Sequence, residues 1–122
     1  ITGPESRGFI FGVALAQEMG IGFVMARKPG KLPGKTVGES YALEYGEASI
    51  YVQEGSFKKD DRVLLIDDLI ATGGTLLALK KLVLKMGATP VAVVAPIRLV
   101  ELEGEKVIDL PVHTLLDLSD SH

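Results

Sequence analysis

The chain has 122 residues, 47% of them hydrophobic, and no cysteine; that length suits one core, and the lack of thiols excludes disulfides and thiolate metal sites. Its 13 basic and 16 acidic residues give a net charge of −3 and are mixed along the sequence, which leaves no basic face for nucleic acid. No apolar run approaches the roughly 20 residues of a membrane helix, so a soluble cytoplasmic protein is expected.

In chain order, Ile1-Thr2-Gly3 reads as the tail of a strand already under way, and the chain opens without Met. A single domain over residues 1–122 that lacks an N-terminal segment is expected. Phe9–Met19 is apolar with a break at Gln17-Glu18 and is followed by Gly20, where a helix C′ glycine belongs. Ile21–Ala26 is a short buried strand. Arg27–Lys35 is loop by its Pro and Gly content. Thr36–Glu44 and Ser49–Gln53 alternate around Tyr45-Gly46-Glu47, which predicts a hairpin projecting from the core. Arg62–Asp67 is the clearest buried strand. Thr75–Met86 is the clearest helix, with Leu76, Leu79, Leu82, Val83 and Met86 on one face and Lys81 and Lys85 on another. Val91–Ile97 and Val112–Leu116 are further strands, and Val100–Ile108 holds one or two helical turns. This rhythm predicts an α/β fold, a doubly wound and mostly parallel sheet covered on both faces.

Ligands in such sheets bind beyond the carboxyl ends of the strands. The best strand runs into Asp67-Asp68-Leu69-Ile70-Ala71-Thr72-Gly73-Gly74-Thr75, with a helix directly after. Gly73 and Gly74 allow a sharp turn that aims successive N–H groups into one concavity. The helix adds free N–H groups and the positive end of its dipole, and Thr72 and Thr75 add hydroxyls. The segment from Ala71 to Thr75 is therefore a cup for a phosphate, and without a lysine it suits a monophosphate better than a triphosphate. Asp67 and Asp68 repel each other unless a cation or a diol satisfies them. A ribose 5-phosphate satisfies both features, with its phosphate in the cup and its 2- and 3-hydroxyls on the acids. An acidic Mg²⁺ pocket or a plain capped turn explains the acids but not the Thr-Gly-Gly-Thr that follows.

The run Val63–Thr75 resembles the signature of the type I phosphoribosyltransferases that binds 5-phosphoribosyl-1-pyrophosphate (PRPP). Glu5-Ser6-Arg7-Gly8-Phe9, Arg27-Lys28-Pro29-Gly30-Lys31-Leu32-Pro33-Gly34 and Ser40-Tyr41-Ala42-Leu43-Glu44-Tyr45-Gly46 narrow the resemblance to the adenine phosphoribosyltransferases. It covers nearly the whole chain and weakens after Pro96.

The resemblance implies that adenine and PRPP give AMP and pyrophosphate, with Mg²⁺ held by PRPP and waters, in a homodimer. It makes Glu5–Gly8 the pyrophosphate loop, with Ser6, Arg7 and Gly8 in contact, and a cis peptide at Glu5–Ser6. Arg27, Lys28 and Lys31 are cations suited to the leaving pyrophosphate, although Lys28 and Lys31 also read as solvated loop charges. The hairpin with Tyr41 and Tyr45 resembles a mobile catalytic loop that excludes water, and Glu44 is its acid/base toward the purine. Tyr41 and Tyr45 also suit ordinary cross-strand packing. Leu69 resembles a residue that packs on the purine and equally fits the core. Base recognition is expected in the segment before Ile1. His113 and His122 have no partner at metal spacing. The alternatives are a xanthine- or hypoxanthine-type enzyme and a non-catalytic PRPP-binding regulator. The regulator would carry a DNA-binding module and a basic face.

Overall fold

A computed structural model describes residues 1–42, 46–99 and 103–118. Its main sheet contains β1 (Thr2–Pro4), β2 (Val24–Ala26), β5 (Arg62–Ile66), β6 (Leu69–Ile70), β7 (Thr89–Leu99) and β8 (Val112–Leu118). The helices are α1 (Arg7–Met19), α2 (Gly74–Lys85) and α3 (Gly104–Ile108), while β3 (Thr36–Ala42) and β4 (Glu47–Gln53) form a separate antiparallel pair. Every pairing in the main sheet is parallel.

Strand β7 organises the sheet. Its 11 residues pair with β5 early, with β6 near the end, and with β8 along the opposite edge. The register to β5 steps from Val63↔Pro90 to Leu64↔Ala92, at a proline that has no N–H to give the ladder. The two-residue β6 was not expected. It extends the edge begun by β5, pairing Leu69↔Ile97 and Ile70↔Arg98.

Side-chain alternation along β5 separates two cores. Val63 and Leu65 join the larger one with Leu76, Leu79, Leu82 and Val83 of α2 and Ile108 of α3. Leu64 and Ile66 turn to the smaller one, with Ile1 and Ala16. Helix α1 thus covers one face and α2 with α3 the other, the doubly wound arrangement expected.

Several boundaries move. Helix α1 begins at Arg7, and Gly20 ends it at φ 67°. Strand β2 keeps three residues of the expected Ile21–Ala26, those paired with Thr2–Pro4. The hairpin is present but less free than its composition suggests. Ile50 and Val52 are buried in the larger core, and Lys85 Nζ reaches Glu39 Oε2 at 2.7 Å and the Gly38 carbonyl at 2.9 Å. Its root is thereby tied to α2.

Candidate active site

Because the sheet is parallel, the segments leaving β1, β2, β5 and β6 emerge at one edge. These are Glu5-Ser6-Arg7, Arg27-Lys28, Asp67-Asp68 and Ala71–Thr75. They surround a cleft of about 290 Å³ lined by Arg7, Arg27, Lys28, Asp67, Asp68 and Leu69, among others. The hairpin contributes Tyr41, Ser49 and Ile50 to the same cleft. Ser49 and Ile50 were not singled out in the sequence.

The predicted phosphate cup coincides with a smaller cavity of about 90 Å³, lined by Asp67 and by Leu69 through Leu76. Gly73 caps α2 at φ 86°, with no side-chain capping bond. The first helical bond runs from the Leu77 N–H to the Gly73 carbonyl at 2.9 Å. The amides of Gly74, Thr75 and Leu76 therefore have no acceptor inside the helix. Gly104 at the start of α3 backs the cup, since a Cβ there would meet the Ala71 carbonyl. Nothing in the ambiguous Val100–Ile108 segment pointed to it.

The paired acids meet their repulsion inside the chain. Asp67 Oδ1 accepts the Asp68 N–H at 2.8 Å, and Asp68 Oδ2 pairs with Arg7 Nε at 3.0 Å. Burial, and after it the neighbouring Asp68, pushes the Asp67 carboxyl up to about 7. One acid is thus biased toward its neutral form while the other holds an arginine. Within the chain, a guanidinium and a backbone amide thus answer the pair's charge.

At the opposite wall, Glu5 Oε1 accepts the Lys28 N–H at 2.6 Å and stands 3.4 Å from Arg27 Nε. Arg27 also exchanges both backbone hydrogen bonds with Tyr51 of β4, at 2.8 Å each. Lys31 does not line the cleft. Its carbonyl accepts from Arg27 Nη1 at 3.4 Å, and its side chain is exposed. Ser6 is the exposed N-cap of α1, and the Glu5–Ser6 peptide is cis. The missing side chain of Gly8 serves packing, because a Cβ there would lie 3.1 Å from the Pro4 ring and 3.3 Å from the Ile66 carbonyl. Leu69 is half-buried and faces the cleft. Tyr41 lines the cleft while packing on the larger core. Glu44 and Tyr45 lie outside the described residues, as does His122. His113 is exposed on β8.

The segment predicted to hold a phosphate, the paired acids and a cationic corner thus meet at one edge of a doubly wound sheet. The profile of the phosphoribosyl transferase domain matches residues 1–116. An adenine phosphoribosyltransferase of Brachyspira hyodysenteriae is 51% identical over 96% of this chain and 69% of its own length. The crystal structure of adenine phosphoribosyltransferase from Thermoanaerobacter pseudethanolicus superposes with a TM-score of 0.94 at 41% identity, covering 96% of this chain and 69% of that one. The Trypanosoma brucei adenine phosphoribosyl transferase, solved with AMP, pyrophosphate and ribose-5-phosphate, superposes with a TM-score of 0.88 at 41% identity, over 98% of this chain and 57% of that one. The chain belongs to the adenine phosphoribosyltransferase family. It spans between little more than half and about two thirds of the length of these relatives.

Proposed function

We propose that the chain transfers the 5-phosphoribosyl group of PRPP to adenine, giving AMP and pyrophosphate. The observation that carries this reading is the meeting of the cup, the acids and the cationic corner at one sheet edge in a member of this family. The 5-phosphate sits on the amides and hydroxyls of Ala71–Thr75. Asp67 and Asp68 take the ribose hydroxyls. Ser6, Arg7, Gly8, Arg27, Lys28 and Lys31 are assigned to the pyrophosphate, with Lys31 the member that must move in. N9 of adenine bonds to C1, the bond from C1 to pyrophosphate breaks, and the ring proton passes to Glu44. Tyr41 and Tyr45 flank Glu44 in the loop that excludes water, and Leu69 packs against the base.

Among the described residues, no three His, Cys, Asp or Glu side chains converge on one point. The oxygens of Asp67 and Asp68 are hard donors suited to Mg²⁺, reached through ribose hydroxyls and waters. When bound, Mg²⁺ supplies charge neutralisation at the pyrophosphate. No helix of the described residues is long and apolar enough to cross a membrane. A cytoplasmic homodimer completes the proposal.

The test is incubation of the protein, with any upstream segment restored, with PRPP, Mg²⁺ and one base, followed by chromatographic detection of the nucleotide. AMP from adenine supports the reading. A preference for hypoxanthine or xanthine would assign the other substrate class. PRPP binding without transfer to any base would make the chain a sensor.

A further inference from the structure

The geometry points to Glu5 as a positioning residue that holds Arg27 and Lys28 at the pyrophosphate end of the cleft, an inference that rests on the proposed function. The sequence motif contains Glu5 but gives it no task. It leaves β1 and crosses to the end of β2. Its N–H donates to the Ala26 carbonyl at 2.9 Å, and its carboxylate accepts the Lys28 N–H at 2.6 Å. The same oxygen faces Arg27 Nε at 3.4 Å, and that buried nitrogen has no hydrogen-bond partner among the described residues. Glu5 therefore touches the segment from Ala26 to Lys28 at three consecutive residues.

A carboxylate lining a site for a polyanion opposes binding by its charge, so it needs a compensating use. Here that charge is met in place: the Lys28 amide above all, with lesser help from the Arg27 guanidinium, holds the Glu5 carboxyl below the usual carboxylate range against the opposing effect of burial. Without an acceptor on Glu5, the Lys28 amide loses its charge-assisted bond and the Arg27-Lys28 corner gains freedom. Preorganised cations serve a leaving group better than wandering ones. The cup and the acids sit on β5, β6 and α2, so this freedom falls on the pyrophosphate side alone.

Titration calorimetry of the parental protein, Glu5→Ala and Glu5→Gln, with AMP and separately with magnesium pyrophosphate, tests the idea. Glu5→Ala is expected to weaken pyrophosphate by about tenfold, the scale of one charge-assisted hydrogen bond. Affinity for AMP should stay within about twofold, because its contacts are on separate elements. Glu5→Gln keeps an oxygen for the Lys28 amide and should recover most of the pyrophosphate affinity. Should Glu5→Ala not fold, Glu5→Met, similar in volume but without an acceptor, should show the same loss. Equal loss of AMP and pyrophosphate, unchanged or tighter pyrophosphate in the acceptor-free variant, or identical behaviour of Gln and Ala would overturn the assignment. A parental protein that binds no pyrophosphate would sink the proposed function and this inference with it.

Discussion

Gly73 and Gly104 stand backbone to backbone. A Cβ on Gly73 would fall 2.6 Å from the Gly104 carbonyl oxygen, and one on Gly104 would lie 3.0 Å from the Gly73 nitrogen. The phosphate cup thus has its shape imposed from behind by a segment some 30 residues further along the chain.

Gly104→Ala must displace either α3 or the cup. It should cost about 1–3 kcal/mol of stability, the range for overpacking a close contact. AMP affinity should fall while pyrophosphate affinity is spared. Urea unfolding beside calorimetry checks both, and unchanged AMP affinity would show that α3 yields instead.

Asp67 carries a pH signature. Its folded value near 7 stands above its ordinary 3.8, so between those values the folded chain keeps a proton that the unfolded chain has lost. Stability from this group is therefore complete at low pH and declines as pH rises through that window. Asp67→Asn removes the decline and keeps an acceptor for the Asp68 N–H. The variant should be more stable than the parent above pH 7, on the order of 1–3 kcal/mol, with the advantage fading toward pH 4. PRPP affinity should fall in the same protein. A variant less stable than the parent at pH 8 contradicts this.

Lys85 ties the hairpin root to α2 through Glu39 and the Gly38 carbonyl. Lys85→Met keeps the stem and removes the tie. Global stability should change by less than about 1 kcal/mol, since the lysine is half exposed. Amide exchange across Val37–Tyr41 should quicken roughly three- to tenfold. Unaltered exchange in that strand would mean that Ile50 and Val52 hold the root without help.

Glu44→Gln tests the proton path. It keeps size and reach but removes the base, so single-turnover transfer should slow by roughly 10²–10⁴-fold. PRPP binding should hold steady, because the cup and the acids belong to other elements. Transfer at the parental rate would reduce the loop to a cover.

Most strands and the turn into α2 were legible because both depend on local pattern. Val63–Ile66 alternates between two cores, and Gly73-Gly74-Thr75 carries the turn that opens α2. Strand β6 was not legible, since two residues carry no periodicity and their pairing requires the far end of β7. Glu5 was hidden because its principal partner is a backbone N–H 23 residues away, which no side-chain pattern encodes. Arg7 was read as a pyrophosphate ligand, and its bond to Asp68 emerges once β1 and β5 lie side by side. Gly104 gave no signal, because the reason for a glycine there is the carbonyl it faces.

Helix α1 buries Gly8, Gly12 and Ala16, while Ile10, Phe11 and Val13 remain exposed. It is held by nearness of backbone to sheet more than by large side chains. Such an element should open at lower cost than α2, which buries five residues. Arg7 rides on the first turn of α1, and the phosphate cup opens α2. On gradual denaturation the two halves of the cleft should therefore part company, the arginine side melting while a phosphomonoester can still be held.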